Sequence, residues 1–204
     1  MQVFILSLRI FSKIDCTRRE KYRSKLHIFR SFILSLHTKR LFMKEIILNT
    51  VVKVCTYDEL SAADTQLVDA AREAAKKSYA PYSRFNVGAA VLLDSGEIVT
   101  GSNQENAAYP SGLCAERTTL FCAGAQHPDK AVEAIAIAAR TADGEIETPI
   151  SPCGACRQVM LETEMRSSRP MRIILYGAQQ CHIIEGGTKE LLPLSFGAEF
   201  LENV

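Results

Sequence analysis

The chain has 204 residues, of which 47% are hydrophobic and 23% charged, and this composition is typical of a globular protein. Its 11 Gly and 7 Pro exclude collagen-like and Pro/Gly-rich disordered classes, and it has no run of about 18 apolar residues that would predict a transmembrane helix. Seven Cys, an odd number at irregular spacing, argue against a secreted disulfide framework and favour a metal site or free thiols.

The net charge of +1 combines two parts of opposite sign. Residues 1–42 contain 10 Lys/Arg and 2 Asp/Glu, a balance of +8, whereas residues 43–204 contain 14 Lys/Arg and 21 Asp/Glu, a balance of −7. An acidic body repels the phosphates of nucleic acids. We therefore expect residues 43–204 to have no nucleic-acid partner.

Three interpretations of the basic segment 1–42 are open. Its composition is typical of an organelle targeting segment, of a basic arm for nucleic acid or anionic membrane, or of sequence upstream of a true start at Met43. The pentapeptide Phe-Ile-Leu-Ser-Leu occurs at 4–8 and again at 32–36 without a packing role that we can derive, which favours the third interpretation. We expect a disordered or dispensable extension over 1–42 and one folded domain over 43–204.

Hydrophobic periodicity predicts the elements of this domain in chain order. A first helix is predicted over 61–79, with Ser61 as its cap and Pro81 beyond its end. An apolar run over 87–93 and the turn after it predict a hairpin with a strand over 98–100. The remaining predicted helices cover 114–126, 153–166 and 189–192, and the remaining strands cover 132–139, 171–176 and 182–184. This alternation predicts an α/β fold with three α-β-α layers and a mixed sheet of about five strands.

Three cysteines stand at the starts of two predicted helices. Cys153 and Cys156 are three residues apart at one helix start, so both thiols can face one point, and Cys114 begins another helix. Three thiolates suit Zn²⁺ and leave a fourth position for water. Arg117 and Arg157 are placed to offset the negative charge of such a site.

Glu116 lies two residues after Cys114, close to the expected metal but not needed as a ligand. A carboxylate beside a zinc-bound water can take its proton and pass it on. A C-x-x-C motif alone is also typical of structural zinc, of a redox pair or of buried thiols. Cys-x-Glu together with Pro-Cys-x-x-Cys is more specific and is the pattern of zinc-dependent deaminases.

Over roughly residues 44–200 the chain resembles the small, homotetrameric class of cytidine deaminases. The matching segments are APYSRF at 80–85, NVGAA at 86–90, GSNQENA at 101–107, CAER at 114–117, PCGACRQ at 152–158 and LLPLSF at 191–196. One small departure is Ala108, where many relatives carry Ser, and the larger one is residues 1–42, which have no counterpart.

The resemblance implies a cytidine deaminase-like fold and one Zn²⁺ per subunit, bound by Cys114, Cys153 and Cys156. It implies that Glu116 deprotonates the zinc-bound water, protonates pyrimidine N3 during attack at C4, and helps ammonia leave. The other implied contacts are Asn103 and Glu105 with the ribose hydroxyls, Phe85 stacked on the base, the Ala115 N–H with the base carbonyl, Phe196 reaching the base from a neighbouring subunit, and Arg117 tuning the thiolates.

The expected activity is therefore hydrolysis of cytidine and 2′-deoxycytidine to their uridine forms in pyrimidine salvage. The Glu105 carboxylate would repel a phosphate, and the nucleotide and polynucleotide branches typically carry His at the position of Cys114, so a free nucleoside fits best. Two alternatives are a deaminase of another cytosine nucleoside, such as an antibiotic, and a structural-zinc module that binds nucleic acid. We expect a homotetramer with shared active sites and no membrane partner, located in the cytoplasm because unpaired thiols suit a reducing compartment.

Overall fold

The computed structural model describes residues 44–201, so the predictions for residues 1–42 lie outside the described residues. The described part contains seven strands in one mixed sheet and three α-helices. In chain order these elements are β1 (Lys53–Cys55), α1 (Ala62–Ala75), β2 (Asn86–Leu93), β3 (Ile98–Ser102), α2 (Ala115–Gln126), β4 (Val132–Thr141), β5 (Gly144–Glu145), α3 (Gly154–Ser167), β6 (Arg172–Tyr176) and β7 (Cys181–Ile184).

The sheet has the strand order β1-β7-β6-β4-β2-β3. The short strand β5 is not part of this order and pairs with β4. Only the β4–β6 pair among the described strands is parallel, and the other pairs are antiparallel. Helix α3 makes the crossover between β4 and β6 and runs back along the sheet. Its first turn therefore lies at the edge where these two strands end, which is where α/β folds place their ligands.

Alternation along the central strands divides the core into two clusters, one on each face of the sheet. Large β4 residues such as Ile135 and Ile137 pack beneath α2 and α3, whereas the small residues Ala134 and Ala136 face α1. Helix α1 thus covers one face alone, and α2 and α3 cover the other. This arrangement confirms the predicted three-layer α-β-α fold.

The structure adds two strands to the five that were predicted. Strands β1 and β5 contain three and two residues, too few to show an alternating pattern in the sequence. Helix α1 ends at Ala75, four residues before its predicted end, because the chain turns to pair with the segment after β3. There Tyr79 N–H donates to the Asn103 carbonyl (3.0 Å), and Glu105 N–H donates to the Tyr79 carbonyl (2.8 Å).

No helix within residues 44–201 combines the length and the apolar character that crossing a membrane requires.

Close packing of α1 on β2 depends on Gly88. A Cβ at this position would overlap the Ala71 carbonyl oxygen and the Ala75 nitrogen, which belong to the helix backbone and cannot rotate away. Gly88→Ala should lower the free energy of unfolding by about 1–3 kcal/mol, measured by urea denaturation. The matched control is Gly124→Ala in α2, where the nearest atom is the flexible Arg166 Nη1 at 3.2 Å. The control should keep or raise stability, and wild-type stability in Gly88→Ala would contradict the packing argument.

Candidate active site

The first turns of α2 and α3 bring the three predicted metal ligands together. Cys114 and Cys153 are the N-cap residues of α2 and α3, and neither side chain caps its own helix within the described structure. The Cys114 Sγ lies 3.8 Å from the Cys153 Sγ, which lies 3.4 Å from the Cys156 Sγ. All three sulfur atoms lie within 4.8 Å of one another.

These sulfur positions fit a tetrahedral zinc ion. Zn–S bonds of about 2.3 Å at tetrahedral angles place two sulfurs about 3.8 Å apart, close to the separations found here. Three sulfur donors leave one coordination position for a water or a substrate atom. Cys156 is fully buried, Cys114 is half-buried and Cys153 is exposed, so one side of the cluster faces solvent.

Hydrogen bonding and positive charge favour the thiolate form of Cys114, which is the form in which a cysteine binds a metal. The Cys156 thiol and the Arg117 guanidinium, as hydrogen-bond donors, lower the pKa of Cys114 to about 5, although burial opposes this shift. Arg117 Nη2 lies 3.9 Å from the Cys114 Sγ and 3.3 Å from the Gly112 carbonyl oxygen. Its Nε is buried and has no hydrogen-bond partner among residues 44–201. Arg117 therefore places its charge beside the sulfur cluster.

Glu116 lies in the first turn of α2 and is only 4% exposed. Burial raises the pKa of its carboxyl, because a charged carboxylate is poorly solvated there. A carboxyl with a raised pKa accepts a proton more readily than an exposed glutamate does. The preceding residue, Ala115, is fully buried at the start of the same helix.

A cavity of about 520 Å³ opens beside Cys114. Four residues of the predicted site line it, namely Asn103, Glu105, Cys114 and Arg117. Sequence analysis did not assign Tyr82, Ser83 and Tyr109 to the site, although they also line this cavity. The two tyrosines meet edge to face with ring centroids 6.0 Å apart, and both are largely exposed. Their signal in the sequence is weak, since each is a single aromatic residue beside a proline.

Asn103 serves the backbone next to the cavity. Its Oδ1 accepts from Val87 N–H at 2.8 Å, and its Nδ2 donates to the Phe85 carbonyl at 2.9 Å. The amide thus fixes the chain at the start of β2 and keeps one Nδ2 hydrogen for a further acceptor. Phe85 itself is partly buried against the core cluster beneath α2 and α3.

Glu105 is held as a carboxylate at the cavity wall. Its Oε2 accepts from the N–H groups of Tyr82 (2.8 Å) and Ser83 (3.2 Å). The Ser83 hydroxyl and these two backbone donors lower the pKa of Glu105. The wall of the cavity therefore carries a negative charge at Glu105 as well as the sulfur of Cys114.

Phe196 is 59% exposed and stacks on Phe200, with ring centroids 5.7 Å apart. Its carbonyl accepts from Gln158 Nε2 at 2.9 Å. Phe196 is not among the residues that line the cavity of its own chain within the described structure.

Comparison with known proteins places this arrangement in a family. Residues 61–169 match the family model described as the cytidine and deoxycytidylate deaminase zinc-binding region. The cytidine deaminase of Halalkalibacterium halodurans is 43% identical over 137 residues, which are 67% of this chain and 96% of that protein. The cytidine deaminase of Mycobacterium tuberculosis is 39% identical over 134 residues, which are 64% of this chain and 87% of that protein. The chain therefore belongs to the cytidine and deoxycytidylate deaminase family.

A solved structure supports the same assignment. The crystal structure of cytidine deaminase from Burkholderia pseudomallei has a TM-score of 0.55 and 40% identity to this chain, and the match covers 64% of this chain and 97% of that one. The zinc-binding region of the family includes all three cysteines of the cluster. Zinc is thus the metal that this cluster suits by family and by geometry.

Removal of the Asn103 side-chain amide should lower the stability of the folded protein even when no ligand is present. Asn103→Ala leaves the Val87 N–H and the Phe85 carbonyl without their partner and should lower the free energy of unfolding by about 1–3 kcal/mol. Urea denaturation of the zinc-loaded protein measures this loss. The matched control is Gln104→Ala, which removes only a 3.2 Å hydrogen bond to the Ser102 hydroxyl. Equal stability of the two variants would contradict the bridging role of Asn103.

Proposed function

We propose that this protein hydrolyses cytidine and 2′-deoxycytidine to uridine and 2′-deoxyuridine and releases ammonia, a reaction of pyrimidine salvage. The observation that carries the proposal is the buried Glu116 beside three converging cysteine sulfurs. In support, the chain is 43% identical to a cytidine deaminase over 96% of the length of that deaminase. Residues 43–204 form the catalytic domain, and the basic segment 1–42 is an extension that this activity does not require.

Zinc, when bound by Cys114, Cys153 and Cys156, supplies a Lewis acid that makes water acidic enough to act as a nucleophile near neutral pH. Glu116 takes the proton at its carboxylate and delivers it to N3 of the pyrimidine as C4 is attacked. It then carries a second proton to the amino group, which leaves as ammonia. One water is consumed and one ammonia is formed, so the pyrimidine ring keeps its oxidation state.

The remaining chain groups bind and orient the nucleoside. Glu105 Oε1 and the second hydrogen of Asn103 Nδ2 are available to the ribose hydroxyls, since the Oε2 and Oδ1 atoms bind the backbone. The Ala115 N–H donates to the base carbonyl, and Phe85 stacks on the base. The positive charge of Arg117 stabilises the thiolate form of the cysteines while Glu116 transfers the proton.

A free nucleoside suits the cavity better than a nucleotide does. The lowered pKa of Glu105 keeps it negative at neutral pH, so it repels a phosphate group on the sugar. The second candidate is deamination of another cytosine-containing nucleoside, because the same zinc chemistry would serve it. A zinc module that binds nucleic acid leaves Glu116 and Glu105 without a role, and the charge of −7 over residues 43–204 opposes it.

The assembly that we propose is a homotetramer whose active sites are completed by neighbouring subunits. Large apolar side chains are exposed along the C-terminal segment, including Leu194 (79%), Phe196 (59%) and Phe200 (58%). Such a patch needs a cover, and a second copy would bring Phe196 to the base. Light scattering of the full chain measures its mass directly.

We place the enzyme in the cytoplasm, with no nucleic-acid or membrane partner for the catalytic domain. Six cysteines in the described part of the chain are free, and three of them are needed as thiolates for zinc. A reducing compartment maintains such thiols.

Turnover of cytidine by the full chain tests the proposed function. The absorbance change that accompanies conversion to uridine should be seen in the zinc-loaded protein and nearly lost in Glu116→Gln. The amide keeps the volume of the side chain but cannot carry the proton, and the expected loss is about 100-fold or more. Zinc content measured on both proteins should be equal. Wild-type turnover by Glu116→Gln would refute the role of Glu116, and an inactive zinc-loaded wild type would favour a different cytosine nucleoside.

Glu105→Gln should raise KM for cytidine with a smaller effect on kcat. The substitution removes the negative charge and one acceptor for a ribose hydroxyl. The side chain is half-buried, but the amide oxygen of Gln can still accept from the Tyr82 and Ser83 N–H groups, so the fold should keep its stability. The matched control is Glu162→Gln, an exposed glutamate on α3 away from this cavity. An unchanged KM for cytidine in Glu105→Gln would show that Glu105 does not bind the ribose.

A further inference from the structure

Arg157 lies one turn into α3, immediately after Cys156, and its guanidinium group makes three hydrogen bonds to oxygen atoms. Its Nε donates to the Pro152 carbonyl at 2.8 Å, and its Nη2 donates to the Ser151 hydroxyl at 3.0 Å. Its Nη1 donates to the Leu191 carbonyl at 2.6 Å. The sequence predicts that Arg157 offsets the charge of the thiolates, and these contacts give it a further, structural task.

Two of the three bonds hold the residues just before Cys153. Cys153 is the exposed cysteine of the cluster, and its side chain does not cap α3 within the described structure. The position of its sulfur therefore depends on the backbone that leads into the helix. Arg117 reaches back in a similar way from α2, where it binds the Gly112 carbonyl ahead of Cys114. In Arg117 the same group also contacts a sulfur, whereas in Arg157 it binds the loop.

The third bond connects this loop to a segment far along the chain. Residues 191–196 lie outside the helices and strands, and Arg157 holds their first residue through the Leu191 carbonyl. The next residue of α3, Gln158, holds their last residue through the Phe196 carbonyl at 2.9 Å. Two consecutive side chains thus fix both ends of residues 191–196 against the start of α3.

We propose that Arg157 is a positioning residue whose planar guanidinium clamps the loop 151–153 to residues 191–196 and thereby sets the place of Cys153 in the zinc site. The inference rests on the proposed function only in taking zinc as the metal, and it does not depend on the substrate. Lysine keeps the charge of Arg157 but cannot present three donors in one plane. The proposal therefore requires the shape of arginine and not its charge alone.

Zinc affinity of the full chain, measured by competition with a chromogenic chelator, separates these possibilities. Arg157→Gln and Arg157→Lys should both bind zinc about 10–100-fold more weakly than the wild type, the range known for groups that orient metal ligands. Arg166→Gln is the matched control, because Arg166 is exposed on the same helix, and it should bind zinc as the wild type does. Lysine is the milder change and carries the test if Arg157→Gln does not fold.

Hydrogen exchange of the zinc-loaded proteins gives a second readout that does not involve catalysis. Both Arg157 variants should exchange faster in residues 151–153 and in residues 191–196 together, while the β4 amides stay protected. Wild-type zinc affinity in Arg157→Lys would assign Arg157 to charge alone and overturn the clamp. Faster exchange in only one of the two segments would overturn their connection. Failure of cytidine turnover with these zinc results intact would count against the proposed substrate and leave the clamp in place.

Discussion

The site depends on one constraint, which is that two helices begin at the same point with a cysteine at each N-cap. An N-cap side chain ordinarily bonds to its own helix, but these thiols point away from their helices and toward each other. The convergence requires α2 and α3 to share one face of the sheet and to start at the edge where β4 and β6 end. The parallel β4–β6 pair and its crossover through α3 satisfy that requirement. The topology of the sheet therefore determines where the three sulfur atoms meet.

Much of this could be predicted from the sequence because the signals are local. Cys153 and Cys156 are three residues apart at a helix start, so helical geometry brings their thiols toward one point, and Glu116 is close to Cys114 because only one residue separates them. The five longer strands show apolar runs, and they were predicted for that reason. Strands β1 and β5 are too short to show one, and they exist only because a longer strand offers an edge for pairing.

The contacts of Asn103 and Arg157 could not be predicted, for a different physical reason. Both side chains bind backbone atoms, and a carbonyl or an N–H group has the same chemistry at every residue. The Leu191 carbonyl is 34 positions from Arg157 along the chain, and only the folded chain brings them together. A sequence identifies a polar residue near a motif, but the fold decides whether it faces a ligand or a backbone. Asn103 faces both the cavity and the start of β2.

The spacing of the sulfur atoms also decides how the protein withstands oxidants. The Sγ atoms of Cys153 and Cys156 are 3.4 Å apart, and a disulfide bond of about 2.05 Å lies within a small movement of two side chains in one helical turn. A mild oxidant such as a small-molecule disulfide would close that bond when the metal is gone and would remove two ligands at once. Bound zinc blocks this reaction by occupying both sulfurs. The zinc ion used in catalysis thus also protects its own ligands from oxidation. The metal-free protein should therefore be prepared in the presence of a reductant.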